Sequence, residues 1–324
     1  MDENKKRIQE MLPMPIKRRY NHYLRLERRL SANTLDAYEK DLDKFLGFLS
    51  EEKVGFREVS LDNLHHFIAG LYDIGIHSRS VARIISGVRS FYRFLTLEKE
   101  MDYDPTDLLE MPRIGRQLPE VLSLEEIDSM IGVIDLSMPE GQRNRAILEV
   151  LYSCGLRVSE LCDLKLSDLF LNEGFIRVKG KGTKERLVPI SQKAIGELKN
   201  WFYDRNVIQI KPGHEDYVFL SIRRGTQLSR ITIFYWVKET ALAAGIIKKI
   251  SPHTFRHSFA THLLDGGANL RVIQMMLGHE KIAATEIYTH ISRSRLREEI
   301  LLHHPRNNRS LTKEDVFKVI VAFN

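Results

Sequence analysis

Four side chains suited to chemistry at an anionic centre occur within about forty residues in the second half of the chain. They are His253, Arg256, His279 and Tyr288. A guanidinium can hold an anion, an imidazole can move a proton or donate a hydrogen bond, and a phenol can act as a nucleophile. The set therefore suits an anionic centre that is attacked by a tyrosine.

Local signals place the first two of these side chains on one helix. Ser251 followed by Pro252 is typical of a helix start, because the hydroxyl can cap the first amides and the missing N–H of proline costs nothing there. His253 and Arg256 are three residues apart, so they share one face of this predicted helix.

Glycines indicate where the other two side chains lie. Gly266 should end the first helix, and the apolar run after it should form a second helix that Gly278 ends. His279 is then expected at a helix corner. Residues 283–291 are expected to form a short helix that carries Tyr288.

Attack on a DNA phosphodiester needs a nucleophile, an acid for the departing sugar oxygen and cations where negative charge develops. Arg157 and Arg256 carry planar forks suited to gripping the two non-bridging oxygens. Residues 175–178 and 186–189 predict a β-hairpin whose turn projects Lys181, which can protonate a leaving 5′ oxygen. The sequence thus offers each group that the reaction requires.

The two histidines have separate expected roles at the same phosphate. His253 is placed to accept or relay the proton of Tyr288, because a phenol with its ordinary pKa of about 10 is mostly protonated at neutral pH. His279 can donate a hydrogen bond to the phosphate.

The histidines also allow a rival interpretation, a metal-dependent hydrolase built on His253, His257 and His262. The first two are spaced as in zinc-binding helices, but no glutamate follows the first and no carboxylate cluster stands nearby. No metal or other cofactor is therefore expected.

Length and composition indicate a globular protein of two domains. The chain has 324 residues, of which 43% are hydrophobic. With no run of eighteen apolar residues and a charged start, neither a membrane span nor secretion is indicated, and a cytoplasmic location is expected. Cys154 and Cys162 have neither disulfide nor metal spacing and are expected to be buried, reduced thiols.

The fold is predicted to be mainly α with a small β-sheet. Residues 1–104 predict an N-terminal bundle of four or five helices, and residues 105–119, with three prolines and little periodicity, predict a linker. Residues 120–305 predict an α+β catalytic domain, and residues 306–324 a tail with an apolar patch.

The charge distribution permits a nucleic-acid partner. The net charge is +6, and the first 115 residues hold 19 basic and 19 acidic side chains, so the whole surplus lies beyond them. Basic side chains on predicted helix faces and on the hairpin are candidates for contacts with DNA phosphates. These candidates are Lys17, Arg18, Arg79, Arg83, Lys184, Arg186 and Arg271.

Five stretches in this order closely resemble the tyrosine recombinase (phage integrase) family, and within it the XerC/XerD type. They are Gly155–Leu161, Gly180–Pro189, Ser251–His257, Leu277–His279 and Ile287–His290. The resemblance runs from about Arg18 to Arg306, and the N-terminal helices look like the family's SAM-like core-binding domain. Phe255 stands where leucine is common, and the tail beyond Arg306 is a larger departure.

The resemblance implies a site-specific DNA recombinase that cuts and rejoins DNA through a 3′-phosphotyrosyl intermediate. Tyr288 is then the nucleophile, and the assisting residues are Arg157, Lys181, His253, Arg256 and His279. The implied partners are a double-stranded recombination site, identical or paralogous subunits that complete a tetramer, and a DNA translocase as activator. Resolution of chromosome dimers at cell division is the implied role, favoured by the short N-terminus.

Three related alternatives stay open at this point. A mobile-element integrase would use the same chemistry, and a type IB topoisomerase would relax DNA with it. A non-catalytic DNA-binding relative would keep the fold without strand exchange, although every expected catalytic position is filled.

Overall fold

The structure is a computed structural model that describes residues 14–113, 115, 120–180, 185–278 and 293–307. The chain divides into two units, Met1–Gln117 and Leu118–Asn324. Within the described ranges, none of the helices combines the length and the apolar character that a bilayer span requires.

The regular secondary structure described in the first unit is all helical. They are α1 (Met14–His22), which continues into a π-helical turn (Tyr23–Glu27), α2 (Ala32–Glu52), α3 (Leu61–Asp73) and α4 (Ser78–Leu97). Apolar side chains recur along α4 at helical spacing, and Ile84, Val88 and Phe91 are buried against α2 and α3. The prediction of a helical bundle is confirmed.

The predicted linker begins too early at residue 105. Leu109 is buried in the core of the first unit, and Thr106 is buried as well. The guanidinium of Arg89 donates a hydrogen bond to the carbonyl oxygen of Leu109. Residues 105–109 therefore pack on the helical bundle.

The second unit combines eight helices of the described ranges with one small sheet. In chain order they are α5 (Leu124–Gly132), α6 (Gly141–Cys154), α7 (Val158–Cys162), a 3-10 turn (Leu166–Asp168), β1 (Leu169–Phe170), β2 (Phe175–Lys179), β3 (Glu185–Pro189), α8 (Gln192–Asn206), α9 (Arg230–Ala243), α10 (Pro252–Asp265), α11 (Leu270–Leu277) and α12 (Arg293–His303).

Helix α6 lies at the centre of this unit and packs against α8 and α10. Nearly all its side chains are buried, so it shows no polar face. Cys154 at its end and Cys162 at the end of α7 are both buried and free, as predicted. Burial raises the pKa of each thiol to about 12, which keeps both protonated at neutral pH.

The sheet is antiparallel with the strand order β1-β2-β3. Ile176 pairs with Val188 and Lys179 with Glu185, which confirms the two predicted strands of the hairpin. Strand β1 has only two residues, too few for periodicity to reveal it. Residues 181–184, which join β2 to β3, lie outside the described residues.

The folded part of the second unit extends past the predicted boundary at residue 305. The side chain of Arg306 is buried, with Nε 3.2 Å from Glu149 Oε2 and its guanidinium over the ring of Tyr152. Asn307 is buried as well and donates from Nδ2 to the carbonyl oxygen of Ile300 at 2.7 Å. The predicted tail therefore contributes its first two residues to the domain.

Candidate active site

Arg157 stands at the turn between α6 and α7. Gly155 ends α6 in the left-handed region with φ +57°, and Arg157 then adopts extended backbone as the residue before α7. Its Nη1 donates to Glu160 Oε1 at 2.8 Å, and its backbone N–H donates to Oε2 at 2.9 Å. The side chain keeps 37% of its surface exposed, so it can still receive a ligand.

Arg256 lies one turn into α10 and is buried. The helix begins at Pro252 after Ser251, as the sequence predicts. Nη1 of Arg256 donates to the carbonyl oxygen of Gly155 at 2.8 Å, which places it close to the Arg157 turn. Burial, and next the charge of Arg157, lower the pKa of Arg256 to about 10, so it stays charged at neutral pH.

The buried carboxylate of Glu160 lies among three arginines. Nη1 and Nη2 of Arg186 donate to its two oxygens at 2.8 Å each, Arg157 donates as described, and Nη1 of Arg256 lies 3.9 Å away. Burial alone would raise the pKa of Glu160. The hydrogen bond and charge of Arg186, together with the hydrogen bonds from Arg157, outweigh burial and hold the pKa below its ordinary value. Among the described residues, one carboxylate is therefore surrounded by three guanidinium groups, and this cluster carries a net positive charge.

The same three arginines bind the end of α11. The carbonyl oxygens of residues 276–278 accept hydrogen bonds from Arg186, Arg256 and Arg157 in that order, at 2.7, 2.5 and 3.4 Å. The last carbonyls of a helix lack partners within the helix and carry partial negative charge, so guanidinium donors stabilise them. Each arginine is therefore fixed to the residues directly before His279.

His253 lies one turn before Arg256 on α10, at an exposed position where its imidazole is partly shielded from solvent. Partial burial, and then the charges of Arg256 and Arg157, lower its pKa below 6.5. The imidazole is therefore neutral at pH 7 and can accept a proton.

Comparison with known protein families identifies the chain. Residues 120–295 match the phage integrase family, and residues 18–99 match the phage integrase N-terminal SAM-like domain. The chain belongs to the phage integrase family of tyrosine recombinases. It is a DNA strand transferase, and the predicted fold class and enzyme class are confirmed.

Relatives of known name agree with this assignment. Over 281 residues the recombinase is 44% identical to tyrosine recombinase XerD of Pseudomonas putida, covering 87% of this chain and 94% of the relative. Over 288 residues it is 44% identical to XerD of Chlorobaculum tepidum, covering 88% and 94%.

Solved structures give the same fold. XerH site-specific recombinase bound to a palindromic difH substrate, in a post-cleavage complex, has a TM-score of 0.67 and 25% identity, covering 85% of this chain and 81% of that chain. A lambda integrase(75-356) dimer bound to a COC′ core site has a TM-score of 0.66 over 87% of this chain and 99% of that chain. At 18% identity, the latter speaks for the fold alone.

The structure brings together three of the six predicted catalytic residues of the recombinase, namely Arg157, His253 and Arg256. Lys181, His279 and Tyr288 lie outside the described residues, and their roles stay predictions. Among the residues that are described, no group of three His, Cys, Asp or Glu side chains is placed to hold a metal ion.

Some of the predicted DNA contacts are exposed, and others already form salt bridges within the protein. Arg18, Arg79 and Arg271 are exposed. Lys17 is paired with Asp43 at 2.8 Å, and Arg83 is paired with the buried carboxylate of Asp41. Lys184 lies outside the described residues.

Arg186 is reassigned from a DNA contact to an internal residue of the recombinase. Its side chain is 5% exposed, and Nε, Nη1 and Nη2 all donate to protein acceptors. A guanidinium engaged in this way has little surface left for a phosphate.

Sequence reasoning missed Glu160 as a member of the site. A signal was present, because Glu160 follows Arg157 by three residues in the quoted stretch Gly155–Leu161, and this spacing places both on one face at a helix start. Its contact with Arg186 depends on the fold and has no local signal.

Proposed function

We propose that Tyr288 is the nucleophile of site-specific strand exchange. Its phenolic oxygen forms a bond to the scissile phosphorus while the bond from phosphorus to the 5′ oxygen breaks. The products are a 3′-phosphotyrosyl link and a free 5′ hydroxyl, which later attacks the phosphotyrosine of a partner duplex. The cluster of Arg157, Arg256 and Glu160 is the observation that carries this proposal.

The charge of the cluster suits the transition state. A phosphodiester carries one negative charge, and further charge develops on its non-bridging oxygens during in-line attack. Arg157 keeps an exposed surface toward a ligand, while Arg256 is held by the carbonyl oxygens of Gly155 and Leu277. Since these donors are already fixed, little reorganisation is needed when the phosphate arrives.

Proton transfer is assigned to two residues. His253, neutral at pH 7 because its pKa is lowered, accepts the proton of the Tyr288 phenol. Lys181 gives a proton to the leaving 5′ oxygen, and His279 donates a hydrogen bond to the phosphate. Because the phosphotyrosyl ester conserves the energy of the broken bond, religation requires neither ATP nor a metal.

The proposed substrate is a double-stranded DNA recombination site. The proposed cellular role is the resolution of chromosome dimers, and the proposed location of the protein is the cytoplasm. Support comes from two relatives named XerD at 44% identity and from the similar structure of XerH site-specific recombinase, which is bound to a difH substrate. A tetramer with identical or paralogous subunits, activated by a DNA translocase, completes the proposal.

Trapping on nicked suicide substrates tests the reaction. The purified protein is incubated with nicked duplexes in the presence of a chelator, and DNA covalently attached to protein is sequenced. We expect attachment at a unique site, through the 3′ phosphate, that persists with the chelator. Attachment through a 5′ phosphate, or cleavage abolished by the chelator, would contradict the proposal and would favour metal-dependent hydrolysis.

A further inference from the structure

Arg186 is a buried arginine with no role in the chemistry proposed above. It lies on β3, and its side chain shares the buried face of that strand with Val188. Its guanidinium makes three hydrogen bonds of 2.7–2.8 Å, two to Glu160 and one to the carbonyl oxygen of Met276. Burying an arginine is costly, and here an acceptor for each of the three guanidinium nitrogens offsets part of that cost.

The bidentate pair fixes the plane of the Glu160 carboxylate. With Nη1 on Oε1 and Nη2 on Oε2 of Glu160, the carboxylate presents its remaining lone pairs to the main chain and Nη1 of Arg157. A rotation of the carboxylate would break both contacts of Arg157. The position of the Arg157 guanidinium therefore depends on Arg186.

The third hydrogen bond of Arg186 connects it to the end of α11. Nε of Arg186 holds the carbonyl of Met276, and the side chain packs on Gly278, where an added Cβ would lie 3.3 Å from Cδ and Nη1 of Arg186. The next carbonyl, that of Leu277, is the acceptor of Arg256. Arg186 thus connects β3, α7 and α11 beside Arg157 and Arg256, the two arginines assigned above to the phosphate.

We propose that Arg186 is a positioning residue for strand transfer, which sets the separation of Arg157 and Arg256 through Glu160 and the end of α11. The inference rests on the proposed function, since it concerns the two arginines assigned there to the scissile phosphate. No contact with the substrate is assigned to Arg186 itself.

The variant that tests this is Arg186→Lys. A lysine keeps the charge beside Glu160 but has one nitrogen, which cannot bond both carboxylate oxygens and the Met276 carbonyl in the same geometry. The matched control is Arg177→Lys on the adjacent strand β2, where Arg177 Nε donates to the buried Asp168 at 2.7 Å. Both changes remove a guanidinium from a buried carboxylate. Only Arg186→Lys alters the groups that position Arg157 and Arg256.

The informative measurement compares two substrates. A nicked suicide duplex, carrying the site recovered with the wild-type protein, is prepared with an ordinary phosphate or with a methylphosphonate at the scissile position. The methylphosphonate is uncharged, so it depends less on correctly placed guanidinium groups. The ratio of the two rates of adduct formation is taken within one protein sample, so it does not depend on the folded fraction.

For Arg186→Lys, we expect the rate on the ordinary phosphate to fall about 100-fold, as for a misplaced catalytic group, and the rate on the methylphosphonate to fall less than about tenfold. The ratio should be unchanged in Arg177→Lys. A wild-type ratio in Arg186→Lys would overturn the assignment of Arg186 alone. Absence of any wild-type adduct would overturn the proposed function and this inference together.

Discussion

Nη1 of Arg256 donates a hydrogen bond of 2.8 Å to the carbonyl oxygen of Gly155, two residues before Arg157. This bond ties α10 to the turn between α6 and α7, so the two arginines proposed to hold the phosphate share one local support. The turn depends on Gly155, whose φ of +57° lies in the left-handed region.

The first prediction concerns this glycine. A Cβ at Gly155 would lie 2.5 Å from Cδ1 of Phe259, so Gly155→Ala must displace a buried ring or the turn. Backbone strain and overpacking together should lower the free energy of unfolding by about 2–4 kcal/mol, measured by urea denaturation. Gly245→Ala is the control, because Gly245 has φ +73° with nothing within 4 Å of an added Cβ. Equal losses in the two variants would contradict the packing argument.

A second prediction concerns the buried carboxylate of Glu160. In Glu160→Gln, whichever way the amide is turned, its NH₂ group faces an arginine N–H donor, because both carboxylate oxygens accept from Arg157 and Arg186. We expect the free energy of unfolding to fall by about 3 kcal/mol and the rate of adduct formation to fall as well. Asp216→Asn, at an exposed carboxylate paired with Lys165, should cost less than about 1 kcal/mol. A Glu160→Gln variant that is as stable and as active as the wild type would contradict the role of Glu160 as the shared acceptor of Arg157 and Arg186.

The third prediction is a pH dependence. Since the pKa of His253 lies below 6.5 in the folded protein, the imidazole remains a base as the pH falls to 6.5 and is protonated only below it. The rate of adduct formation should therefore hold between about pH 8 and 6.5 and decline at lower pH. His253→Gln should be slower throughout and lack this decline. A decline in the wild-type protein centred above pH 6.5 would exclude His253 as the base.

The fourth prediction addresses the first unit. Arg79 is exposed at the start of α4, so Arg79→Ala should weaken binding to specific and non-specific DNA alike and reduce the salt slope of log Kd by about one. Arg57→Ala is the control, because the Arg57 guanidinium is paired with Glu100 at 2.7 Å. An unchanged slope in Arg79→Ala would remove this residue from the phosphate contacts.

The helix ends around the site could be predicted from the sequence because they depend on neighbouring residues. Helix α10 begins after Ser251, whose N–H donates to Thr254 Oγ1 at 3.1 Å, and α11 ends at Gly278 with φ +66°. Both features follow from capping chemistry within one turn. The spacing of His253 and Arg256 on one helix follows in the same way.

The inward direction of Arg186 was missed for a different reason. A basic residue beside a hairpin turn is ordinarily exposed, and this expectation makes Arg186 a candidate for a contact with DNA. The alternation of β3 indicates otherwise, because Arg186 and the buried Val188 are two residues apart and share a face. The local sequence around Arg186 does not indicate its buried acceptor, Glu160. That residue lies on α7, and only the fold brings it to β3.

The packed end of the predicted linker also depends on tertiary structure. Residues around Pro105 lack helical or strand periodicity, which is typical of a connection. Leu109 is nonetheless buried, and its carbonyl oxygen accepts from Arg89, twenty residues earlier. An irregular backbone can thus belong to a core when a side chain from another element satisfies its polar groups.

The most direct test of the account is covalent trapping with Tyr288→Phe. The variant lacks only the phenolic oxygen, so it should bind the recombination site with wild-type affinity and should form no protein–DNA adduct on a nicked suicide substrate. The wild-type protein, treated in parallel, should accumulate an adduct joined through the 3′ phosphate. An adduct in Tyr288→Phe at the wild-type level would contradict the assignment of Tyr288 as the nucleophile.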